Sequence, residues 1–132
     1  MDKALHSRLA AVRIVDHVVE HKSLLDEAAA PFLSRLDNSR DQRLAMAIAM
    51  GTLRYYKALD SIINGFMQKP LPADSPARKA MRIGLCQLLI LDGISDHAAI
   101  NTAVDVVDAL GQKKMKGTVN AILRRAQREK SQ

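Results

Sequence analysis

The sequence predicts an all-α fold of six or seven helices, and three observations carry that reading. Alanine and leucine, which lose little on entering a helix, number 19 and 16 against six glycines and four prolines. Apolar residues recur at helical spacing along most of the chain, and no stretch alternates with the period of two that a half-buried strand requires. The 132 residues are 48% hydrophobic and 26% charged, an ordinary globular composition at the length of one domain, so one core over residues 1–132 is expected.

Each element has its own signal. Leu5, Leu9, Val12, Val15 and Val19 make the stripe of an amphipathic helix between Lys3 and Lys22, with His6, Arg13, His17 and Glu20 on the other side. Ser23 and Asp26 resemble a capping box that starts a short second helix, which Pro31 interrupts or kinks. Ser39 with Gln42 opens a long helix that meets no breaker before Pro70 except Gly51. Its stripe is Leu44, Ile48, Tyr55, Leu59, Ile62 and Phe66, and Met46, Met50 and Leu53 give it a second apolar side. It is therefore the expected centre of the core, with Ile48, Tyr55, Leu59 and Phe66 buried.

Three of the four prolines lie within residues 68–76 and mark a loop, which ends with Ser75 as N-cap and Pro76 in the first helical position. A helix follows to Asp92 and stops at Gly93. The next is capped by Asp96 and runs to about Leu110, with Gly111 suited to the left-handed residue after its end. The last begins near Met115. Met115, Val119, Ile122, Leu123 and Ala126 share one face, while Lys113, Lys114, Arg124, Arg125 and Arg128 project broadly the other way.

Charge is the strongest functional signal. The net charge is +6, and from Lys113 onward there are seven basic residues against one acid, Glu129, while the preceding residues balance. A concentrated basic segment favours a polyanionic partner, RNA or DNA, over a lysine-rich helix end that only complements the macrodipole. Two tyrosines, two phenylalanines and no tryptophan argue against an aromatic base-stacking sheet, so phosphate contacts, helix edges and polar side chains are expected to carry recognition. A single cysteine, Cys86, excludes an internal disulfide and fits a reducing cytoplasm. Charged residues interrupt the start of the chain where a signal peptide is apolar, and no segment has the length of a membrane span.

Catalytic and metal chemistry find little support. His17-Val18-Val19-Glu20-His21 matches H-x-x-E-H, in which two histidines one turn apart hold zinc, but no third ligand cluster accompanies it, and a solvated helix face is expected. Cys86 sits in an apolar run as a small buried hydrophobe rather than a nucleophile. No two glycines are closer than six residues, so no phosphate-cradling or dinucleotide loop can be written. Asp96 beside His97 reads as a cap, not part of a triad.

Five segments, in order and on the expected helices, resemble the NusB family of helical RNA-binding domains. They are Arg8-Leu9-Ala10-Ala11; Gly51-Thr52-Leu53-Arg54 with Leu59-Asp60; Arg82-Ile83-Gly84-Leu85-Cys86-Gln87-Leu88-Leu89; Asp96-His97-Ala98-Ala99-Ile100-Asn101 with Ala103-Val104; and Lys116-Gly117-Thr118-Val119-Asn120-Ala121-Ile122-Leu123-Arg124. The resemblance covers the chain from Arg8 to Arg125 and implies a NusB-like helical globule. Of the family's two branches, Gly51-Thr52-Leu53-Arg54, His97-Ala98-Ala99 and Leu123-Arg124 are similar to the N-terminal domain of ribosomal RNA cytosine-C5 methyltransferases. Thr118 stands where the antitermination branch carries Phe. Ser95 stands where many relatives have Pro, and the arginine-rich N-terminus of the antitermination factors is thin, with Lys3, Arg8 and Arg13 only.

The resemblance implies the RNA-binding N-terminal portion of a 16S ribosomal RNA methyltransferase, noncatalytic by itself. The S-adenosylmethionine site and catalytic cysteine would belong to a C-terminal methyltransferase domain absent from this sequence. The alternatives are a stand-alone antitermination factor that binds nascent RNA with a ribosomal protein, and a protein-interaction module. The expected RNA surface lies where the first helix meets the last, with Lys3, Arg13, Lys113, Lys114, Lys116, Arg124 and Arg125 as phosphate contacts. Arg8 joins them only if it turns to a groove edge, because its helical angle also allows a buried position beside a carboxylate or carbonyl. No cofactor, metal or membrane partner is expected.

Overall fold

A computed structural model of the protein describes residues 3–130. The described residues form α1 (Lys3–His21), α2 (Leu25–Leu33), α3 (Ser39–Arg54), α4 (Tyr56–Phe66), α5 (Pro76–Leu89), α6 (Asp96–Ala109) and α7 (Lys116–Glu129), with a 3-10 turn at Lys113–Met115 before α7. No strand occurs among them, as expected.

The helix starts follow side-chain capping, in places one residue from where the sequence suggests. Ser75 accepts from the Arg78 amide at 3.2 Å and Pro76 occupies the first turn, as read. Asn38, not Ser39, caps α3 by accepting from the Asp41 amide at 2.8 Å. Ser95, not Asp96, caps α6 through the Ala98 amide at 3.0 Å, which frees the Asp96 carboxylate for Lys130 at 2.6 Å. The expected capping box at Ser23 does not form. The Ser23 hydroxyl lies 3.0 Å from His17 Nδ1, and α2 starts at Leu25 without a side-chain cap. Pro31 sits near the end of α2, where its disruption is confined to the last turn.

The long third helix divides. At Tyr55 the backbone leaves helical values (φ −109°, ψ 23°), separating α3 from α4, although no proline or glycine stands there. The cause is tertiary. Asp60 accepts from Arg82 Nε at 2.8 Å and Arg78 at 3.1 Å, and the Arg82 guanidinium lies 4.3 Å from the Tyr56 ring centroid. Turning α4 onto α5 satisfies both arginines and buries Leu59 and Ile63, but it leaves Tyr55 40% exposed, contrary to expectation. Phe66 is half-buried under Arg125, and Val19 is exposed despite its place on the first stripe.

The centre of the core is α5 rather than α3. Eleven of its 14 residues are buried, and it packs on α1, α3, α4, α6 and α7. Gly84 permits this crowding. A Cβ there would lie 2.7 Å from a Leu123 methyl and 3.0 Å from the Ala103 Cβ, so α6 and α7 both approach the α5 backbone at this point. A second close approach brings α3 to α5, where a Cβ on Gly51 would lie 2.7 Å from Cys86 Sγ.

Candidate nucleic-acid interface

The basic segment begins on the 3-10 turn and continues around α7. Lys113 and Lys114 are exposed, and they and Arg124 have no ion-pair partner among the described residues. Lys116 is 3.8 Å from Asp108 of α6, a loose and solvated pair. Arg125 donates to Glu129 at 2.7 Å and covers Phe66 at 4.2 Å. At 100° per residue, Lys116 and Arg125 are about 180° apart on α7, so the first turns toward α6 and the second toward α4. These cations therefore encircle the exposed part of the helix instead of forming one flat patch.

The first helix contributes differently from expectation. Its packing partners are α2, α3, α5 and α6, whereas α7 packs on α5 and α6, so α1 and α7 are joined through the two helices between them. Lys3 is exposed at the start of α1, and Arg13 lines a cleft of about 220 Å³ with His6, Phe32 and Arg35. Arg8 occupies the buried one of its two possible positions. It is 5% exposed, with Nε donating to Gln87 Oε1 at 3.0 Å and Nη1 to the Ala4 carbonyl at 3.3 Å. Gln87 in turn donates to the Ile83 carbonyl at 3.0 Å, so Arg8 ties α1 to the middle of α5.

The chemically distinctive groups elsewhere are structural in their surroundings. Burial pushes the Cys86 thiol up from its usual range, the nearby Thr52 hydroxyl offsetting part of the effect, and its Sγ lies 3.6 Å from the Ile48 carbonyl. His17 and His21 have ring centroids 4.5 Å apart, and no group of three metal-ligating side chains occurs among the described residues. Arg78 also donates to Asn64 at 2.7 Å and to the Leu71 carbonyl at 2.8 Å, so the loop before α5 is held by the same side chain that meets Asp60. Sequence reasoning missed this network. Its local sign was two arginines four residues apart, Arg78 and Arg82, on a mostly apolar helix. No described helix is long and apolar enough to cross a membrane.

Comparison with known proteins adds a family. Residues 5–128 match the model of the NusB family. The chain is 36% identical over 124 residues to ribosomal RNA small subunit methyltransferase B of Xanthomonas campestris pv. campestris, covering 93% of this chain and 28% of that protein. It is 37% identical over 126 residues to the protein of the same description from Pseudomonas putida, again covering 28% of it. The chain thus spans under a third of the length of these curated relatives. Among solved structures, a chain in the crystal structure of antitermination factors NusB and NusE in complex with dsRNA superposes with a TM-score of 0.81 at 19% identity, covering 98% of each chain. T. maritima NusB superposes with a TM-score of 0.80, also at 19% identity, covering 98% of this chain and 92% of that one. At that identity the two structures bear on the fold alone.

Proposed function

The chain belongs to the NusB family, and from that premise we propose that it is an RNA-binding domain equivalent to the N-terminal, substrate-recognising part of a 16S ribosomal RNA cytosine-C5 methyltransferase. The observation that carries the proposal is the match of nearly the whole chain to under a third of relatives described as ribosomal RNA small subunit methyltransferase B. Unneutralised Lys113, Lys114 and Arg124 support a phosphate-binding role for the 3-10 turn and α7. In this reading the domain is noncatalytic, and S-adenosylmethionine and the methyl transfer belong to a methyltransferase domain working beside it in a reducing cytoplasm.

Lys113, Lys114, Lys116, Arg124 and Arg125 contact phosphates in this proposal, Lys3 and Arg13 extend the surface through α1, and Arg8 positions α1 from within.

Binding of ribosomal RNA fragments across a salt series tests the proposal. Four to six phosphate contacts give a slope of log affinity on log salt of about −3 to −4 for single-stranded RNA. Lys113→Glu with Lys114→Glu is expected to weaken binding across many sequences and flatten the slope, because phosphate contacts position without specifying. Unchanged affinity and slope in the folded double variant would remove the 3-10 turn from the interface. Absence of any RNA affinity in the unaltered chain would leave the protein-interaction reading.

A further inference from the structure

The division of α3 from α4 creates a feature that the proposed phosphate surface does not use. Tyr55 stands at the break and is 40% exposed, although a tyrosine on a helix stripe normally contributes to the core. It separates two clefts. One, of about 470 Å³, has an apolar floor that includes Met50, Ile90 and Leu91; the other, of about 370 Å³, is bordered by Lys57 and Ala58. Both volumes fall within the range of small-molecule sites. No acid lines either cleft.

The charge around the ring is one-sided. The Arg54 guanidinium lies 5.6 Å from the Tyr55 ring centroid, and Lys57 is exposed. Neither Arg54 nor Lys57 has an ion-pair partner among the described residues. The remaining aromatic side chains are less available. Tyr56 lies beneath Arg82, Phe66 beneath Arg125, and Phe32 between Arg35 and His17, and all three are half-buried.

The break is also connected to α7. Phe66, at the far end of α4, touches Arg125, and α4 spans the intervening distance of about 16 Å. The exposed residues of α4 are Lys57, Ala58, Ser61, Asn64 and Gly65, with no acid among them. Its one carboxylate, Asp60, is drawn toward Arg78 and Arg82. The exposed face of α4 beside Tyr55 therefore carries no carboxylate, while Phe66, nine residues from Lys57, turns about 180° away from it toward Arg125.

We propose that the α3–α4 break is a nucleotide-binding site for single-stranded RNA, in which a base stacks on the Tyr55 ring while Arg54 and Lys57 hold the adjoining phosphates. The proposal rests on the RNA-binding reading and extends it from phosphate contact to base contact. Stacking tolerates any base, so the site adds affinity for unpaired strands without imposing a sequence. RNA is favoured over a protein partner because the exposed ring is flanked by two unneutralised cations and no acid lines either cleft beside it.

The test measures binding of a fluorescently labelled single-stranded oligonucleotide of about ten nucleotides. The full chain, Tyr55→Ala, Tyr55→Phe, Lys57→Gln and the Lys113→Glu/Lys114→Glu double variant are compared, with thermal melts reporting on folding. Tyr55→Ala is expected to weaken binding about 5- to 100-fold with the salt slope intact, and Tyr55→Phe to retain wild-type affinity. Lys57→Gln should flatten the slope by about 0.7. A 5-iodouridine in the oligonucleotide should crosslink at Tyr55.

Wild-type affinity in Tyr55→Ala, alongside lost affinity in the lysine double variant, would overturn the stacking site and leave the RNA-binding reading intact. Equal losses in Tyr55→Ala and Tyr55→Phe would overturn stacking in favour of a contact through the hydroxyl. No binding by the unaltered chain would remove both proposals.

Discussion

Asp60 shows how much one side chain can determine. Arg78 and Arg82 are 4% and 2% exposed, and this carboxylate is the ion-pair partner of both. Removing it leaves two buried guanidinium groups short of an acceptor, and the cost of an unpaired buried charge exceeds the net worth of the pair itself. Asp60→Ala is expected to lower stability by about 3–5 kcal/mol, measured by urea denaturation. A loss below about 1 kcal/mol would mean that solvent reaches the arginines and replaces the carboxylate. The opening at Tyr55 should change with it, because the same contacts turn α4 away from the line of α3. Leu59-Asp60 was visible in the sequence as part of a family motif, but its reason was not: the partners lie 18 and 22 residues later.

Among the elements, those bounded by local chemistry were legible. Pro70, Pro72 and Pro76 placed the loop before α5, and Gly111, at φ +90°, ends α6 as its position suggested. The sequence alone does not separate Ser95 from Asp96, because either side chain can cap a helix and only the geometry decides between neighbours. The break at Tyr55 had no local signal, since its cause is contact with α5. The basic segment was legible as charge, but its distribution around α7, and its separation from α1 by α5 and α6, depend on tertiary arrangement. The Asp96 choice has a pH consequence. Its hydrogen bond from Lys130 holds the carboxyl below its usual value, with Gln127 assisting. A folded-state pKa below the unfolded one stabilises fully above the ordinary carboxylate range and loses that contribution as pH falls through the folded value. Amide protection factors over Arg128–Lys130, which are corrected for the intrinsic slowing of exchange in acid, should therefore fall as pH is lowered, and Asp96→Asn should show the lower protection, and so faster exchange, already at neutral pH. Exchange in that variant equal to wild type at neutral pH would show that α7 is held without this tie.

For the whole molecule, the placement of α5 governs how the parts depend on one another. The helix that touches α1, α3, α4, α6 and α7 begins at Pro76, past the middle of the chain. Residues 1–75 therefore contain α1, α3 and α4 without their common partner, together with α2, which packs on α1 and α3, and isolated short helices are marginal in water. A peptide of residues 1–75 is expected to show weak helicity by circular dichroism and no cooperative melt, whereas the whole chain melts in one transition. A cooperative melt of the peptide would show that α1–α4 form a core by themselves. During synthesis on the ribosome, the same arrangement makes the nascent N-terminal half wait, with the apolar sides of α1 and α3 open to chaperones, until α5 emerges. α6 and α7, which follow α5 in the chain, then pack on it and complete the core.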